Sequence, residues 1–97
     1  MSSIPAHTET STQLLLPERI ALESVLLRAL NSFSLSPNLC IAARNDCAAL
    51  VNNNWPTRGK VELVPSKLEL IVVVANAGLD MMVVHYDAVL ARVLVKN

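Results

Sequence analysis

Hydrophobic and polar positions divide the chain into two unlike halves. Between Pro17 and Phe33, the residues Leu22, Val25, Leu26, Ala29, Leu30 and Phe33 recur at three- and four-residue intervals. That is the period of one helix face. Ile20 and Leu27 widen the stripe, while Glu18, Glu23, Ser24, Arg28 and Asn31 fall largely outside it. Pro17 suits a first helical turn, where its missing N–H costs nothing, and Glu18 complements the helix dipole. Ser34, Ser36 and Pro37 close the pattern, which predicts a helix from Pro17 to near Ser32. Leu14 to Leu16 reads as an extended lead-in or a short edge strand.

Residues 38–54 fit two patterns. As a helix, the segment has Ser36 as N-cap and Pro37 at its first position, and Cys40, Ala43, Cys47 and Leu50 share a face. As a hairpin, it turns near Ala43-Arg44 or Asn45-Asp46. The alanines favour the helix. The choice decides the cysteine chemistry. Two helical turns hold Cys40 and Cys47 about 10 Å apart, beyond the reach of a disulfide. A two-residue hairpin centred on Ala43-Arg44 sets them opposite one another. The Asn52-Asn53-Asn54 cluster ends the segment.

The second half changes to period two. Lys60 to Val64 alternates polar and apolar, as an outer strand does, and Pro65-Ser66 turns the chain. In Leu68 to Ala75, Leu68, Leu70, Val72 and Val74 point one way, and Glu69, Ile71, Val73 and Ala75 the other. Ile71 to Val74 are all β-branched and suit a pleated surface. The run is far below the roughly 20 residues of a membrane span. Ala75 to Gly78 is a turn, with Asn76 and Gly78 able to take positive φ. Met81 to Val84 is again apolar on both faces. No crossover helix fits between the two strands, so they form an antiparallel hairpin. In residues 87–97, Val89, Ala91, Val93 and Val95 alternate, which favours a fourth strand over a helix capped by Asp87.

The architecture predicted is α+β, with one or two N-terminal helices packed on a C-terminal antiparallel sheet of three to four strands. Residues 1–12, rich in Ser and Thr, form a flexible tail, and residues 13–97 form one domain. Helices can cover one side of the sheet only. The expected contact surface comprises Leu70, Ile71, Val72, Val73, Val74, Met81, Met82 and Val83, with Trp55 either an anchor for a partner or a plug at the core edge.

Composition sharpens this picture. The chain has 97 residues, 53% hydrophobic but only 3% aromatic, so its core is aliphatic. Eight basic residues balance eight acidic ones, which leaves no electrostatic footprint for nucleic acid or an anionic membrane. Two cysteines are too few for a disulfide framework, and Met1 to Thr12 shows no secretory pattern, so a cytoplasmic setting is expected.

Candidate chemistry is sparse. His85 and Asp87 would share a strand face, half of a general-base arrangement, but no nucleophile motif accompanies them. His7, His85, Cys40 and Cys47 match no metal-ligand spacing. Arg58-Gly59-Lys60 is a basic turn, not a phosphate loop. No cofactor is implied. The leading expectation is a non-enzymatic interaction protein, a homodimer or assembly subunit joined through the apolar second face of its sheet. Covering about 500 Å² of that face is worth about 12 kcal/mol before association costs. The alternatives are a carrier of a lipid or other apolar small molecule, and a small enzyme using His85 and Asp87.

Overall fold

The computed structural model of the chain describes residues 14–53, 55, 56 and 59–95. The predicted tail, His7 and Arg58 lie outside the described residues. The elements are α1 (Leu16–Leu30), α2 (Pro37–Asn52), β1 (Val61–Val64), β2 (Glu69–Val74), β3 (Leu79–His85) and α3 (Ala88–Val95). This is a mixed α+β fold, with two helices before the strands and one after.

α1 begins where the sequence expects. Pro17 occupies its first turn, and the Glu18 carboxylate accepts the otherwise unpaired Leu15 N–H at 2.9 Å. Leu22, Leu26 and Leu30, four residues apart, are its buried ridge. The Ser32 hydroxyl donates to the Ala29 carbonyl at 2.7 Å just past its end. α2 takes the helical reading. Ser36 caps it, its hydroxyl accepting from the Leu39 N–H, and Ala43, Cys47, Leu50 and Val51 are buried. Cys40 and Cys47 are both free thiols.

The sheet is antiparallel throughout, in the order β1-β2-β3. Alternation along β2 buries Leu70, Val72 and Val74. Val61 and Leu63 of β1 pair with Val72 and Leu70, and Met82 and Val84 of β3 pair with the same two residues from the other side. These side chains form one face. Against it lie the buried leucines of α1 and the buried face of α2, with Trp55, Tyr86, Leu90 and Leu94 completing a single core.

The fourth strand expected over residues 87–97 is a helix. The Asp87 carboxylate accepts the Leu90 N–H at 2.8 Å and its carbonyl accepts the Ala91 N–H, which starts the first turn. Leu90 and Leu94, four residues apart, are buried. A strand would instead have turned Val89, Ala91, Val93 and Val95 to one side, and Val89 is left widely exposed. The β-preference of valine is a weak, context-dependent bias, and a cap joined to an apolar ridge overrides it.

Both hairpin connections use the same turn. A short 3₁₀ segment, Pro65–Lys67 or Ala75–Ala77, is closed by a left-handed residue, Leu68 (φ 53°) or Gly78 (φ 73°). At Gly78 an added Cβ would meet nothing within 4 Å, so only backbone strain opposes it. Gly78→Ala is therefore expected to destabilise by roughly 1–2 kcal/mol, the left-handed cost for a residue with a Cβ. Leu68→Gly relieves the same strain while losing side-chain contact, and should change stability less. Urea unfolding of the two variants checks both.

Candidate interaction surface

The second face of the sheet is built by the other half of the alternation. Glu62 pairs with Ile71, and Ile71 with Val83, giving one row across the three strands. Val64, Glu69 and His85 make the next row. Val73 and Met81 complete the face toward the β2–β3 turn. No described helix buries these side chains. Met81 is 63% and Val83 41% exposed, and Ile71, Val73 and Val64 are only partly buried. Three strands about 4.8 Å apart, rising about 3.4 Å per residue, make the face roughly 300 Å².

The nine residues expected at the contact surface are thus split by the fold. Ile71, Val73, Met81 and Val83 lie together on the uncovered face. Leu70, Val72, Val74 and Met82 point into the chain's own core and are unavailable to a partner. Trp55, at 1% exposure, plugs that core and is no partner anchor. Alternation within each strand sends neighbours to opposite faces, so a run of consecutive residues cannot all meet one surface.

One polar contact borders the cluster. His85 Nε2 lies 3.0 Å from Glu69 Oε2, the two being direct cross-strand partners. The His side chain is 72% exposed and that of Glu69 only 23%. The pairing expected from sequence, His85 with Asp87, does not form, because Asp87 caps α3. Glu69 is the residue that sequence reading missed, and only its alternation with Ile71 and Val73 hinted at this face.

Other concave surfaces are modest. A cleft of about 400 Å³ between α1 and α3 is lined by Ala21, Val25, Val89 and Val93, among others. A smaller one of about 200 Å³ lies between α2 and β2, bordered by Asp46, Cys47 and Lys60. Among the described residues no group of His, Cys, Asp and Glu could hold a metal ion, and no helix is long and apolar enough to cross a membrane. Compared with protein-family models, curated proteins and solved structures, the chain matches none of them.

Burial sets the thiol chemistry. Desolvation, helped by the negative charges of Asp46 and Glu23, pushes the Cys47 thiol from about 9 up to about 11. Burial raises the Tyr86 phenol in the same sense. In the fold Cys47 keeps its proton up to about pH 11, whereas the unfolded chain releases it near pH 9. Ionisation above pH 9 therefore favours the unfolded chain. Stability should be level up to about pH 9 and fall as pH rises toward 11, with a shallower fall in Cys47→Ala. Urea titrations across that range test this. Iodoacetamide at pH 8 should label the half-exposed Cys40 well before Cys47.

Proposed function

We propose that the chain is a non-enzymatic interaction protein that assembles through its sheet, as a homodimer or as a subunit of a larger assembly. The observation that supports this is the uncovered cluster of Ile71, Val73, Met81 and Val83, bordered by Glu62, Glu69 and His85. The largest apolar patch on a monomer, roughly 300–600 Å², is often functional, and this face reaches the lower end of that range with a polar border. The chain carries no net charge, so copies approach without mutual repulsion.

One observation favours the carrier reading: the α1–α3 cleft falls within the usual size range for small-ligand sites, with Ala21, Val25, Val89, Leu90 and Val93 among its lining beside the charged Glu18, Arg28 and Asp87. A retained apolar molecule in native mass spectrometry of the purified protein would promote it.

Size exclusion with light scattering at micromolar concentration is expected to give a dimer or larger species. The double variant Ile71→Lys, Val83→Lys should be monomeric while keeping its helical circular dichroism, since neither side chain faces the core. A wild-type chain that stays a compact monomer would refute the proposal.

A further inference from the structure

We propose that two copies of this chain join along the free edges of β3, antiparallel about a two-fold axis at Val83, forming a continuous six-stranded sheet with three strands from each copy. This rests on the reading of the sheet as the assembly surface and adds which part of it joins the copies.

Among the described strands, β1 and β3 are the two edges of the sheet, and they differ. β1 is four residues long, preceded by Lys60, interrupted by Glu62 and stopped by Pro65. Shortness, charge and proline are the features that keep an edge from pairing. β3 is seven residues long and contains neither lysine nor proline, and its acidic residue Asp80 and its bulge both lie between Leu79 and Met82, at the turn end of the strand.

The backbone of β3 is oriented for self-pairing. The Tyr86 N–H donates to the Leu68 carbonyl at 3.0 Å. Antiparallel ladders alternate, so the backbone groups of Val84 and Met82 also face β2, and those of Val83 and His85 face outward. Only outward-facing residues can bond across a new edge. Centring the pair on Val83 sets Val83 opposite its counterpart and His85 opposite Met81 of the second copy. Each bonded pair then exchanges two hydrogen bonds.

The surroundings leave room and supply charge. Val25, Arg28, Ala29 and Ser32 of α1 and its following turn face Val83 and His85 across a cleft of about 410 Å³. Ala29 and Ser32 are small, so the two copies of α1 can approach closely. Antiparallel pairing brings the exposed Asp80 of the second copy to the His85 end of the strand, where Arg28 lines the cleft. The two uncovered faces also merge. Side by side they make one face of roughly 600 Å², which edge pairing itself leaves open.

The test compares Val83→Pro with Ile71→Lys. Proline at 83 deletes the outward N–H but none of the bonds to β2. Val83→Pro is expected to lose the dimer at micromolar concentration and keep its circular dichroism, whereas Ile71→Lys, two strands from the axis, stays dimeric. In the wild type, amide exchange at Val83 and His85 should be slow and should speed up on dilution, a readout that stands even if the proline variant fails to fold. A dimer that survives Val83→Pro, or that leaves those amides exchanging freely, overturns edge pairing alone. A dimer broken by Ile71→Lys but not by Val83→Pro assigns the contact to the face instead. A monomeric wild type overturns this proposal and the assembly reading together.

Discussion

The register between β2 and β3 is the constraint on which the rest of the molecule depends. Both strands are apolar on both faces, so hydrophobicity alone does not choose between pairings, and a slip of one residue would exchange every inward side chain for an outward one. The choice is made by an irregularity near the turn. Val74 pairs with Leu79, but Val72 pairs with Met82, so β3 advances three residues while β2 advances two. The extra residue turns Met82 and Val84 inward and leaves Met81, Val83 and His85 outside. Without it, Glu69 would face Val84 and no ion pair with His85 would form. α2 helps to hold this end of the hairpin, since the Asp46 carboxylate accepts both the backbone N–H of Asn76 at 3.1 Å and its side-chain amide at 2.6 Å.

That irregularity marks the limit of what the sequence reveals. Elements with local signals were legible: Pro17 and Glu18 at the start of α1, Ser36 and Pro37 at the start of α2, and the alternation of β1. Each signal acts within one turn of the backbone, and the packing around it agrees with it. The spacing of Cys40 and Cys47 stayed open with the choice between helix and hairpin, which α2 decides for the helix. The uncovered face was legible only in outline. Apolar residues on both sides of β2 announce that one side lacks cover, but which of Met81 or Met82, and which of Val83 or Val84, belongs outside is settled by a bulge that no residue type announces. Trp55 was ambiguous because a large amphipathic ring serves equally well as plug or anchor until its burial is known.

The two hairpin turns show how one backbone geometry hides behind unrelated residues. Pro65-Ser66-Lys67-Leu68 and Ala75-Asn76-Ala77-Gly78 share no residue, yet each makes one 3₁₀ turn and closes in the left-handed region. Gly78 enters that region freely. Leu68 does not, and the surrounding ladder must hold it there. The Leu68 carbonyl accepts the Tyr86 N–H, extending the β2–β3 pairing by one residue beyond each strand, so this bond helps to stabilise the strained turn.

The same residue parity explains why α3 leaves the second face bare. Eight residues of apolar helix could in principle have covered Ile71 and Val83. The side on which α3 packs is fixed where the chain leaves β3. Tyr86 has the parity of Met82 and Val84, so its ring turns into the core, and Asp87 starts the helix at once. α3 therefore packs against α1, with Leu90 and Leu94 added to the core already served by the other two helices. Had β3 lacked its extra residue, Tyr86 would have turned to the opposite side and carried α3 with it. A single bulge thus determines which methionine is buried, where His85 finds its partner, and that the last helix reinforces the covered side of the sheet.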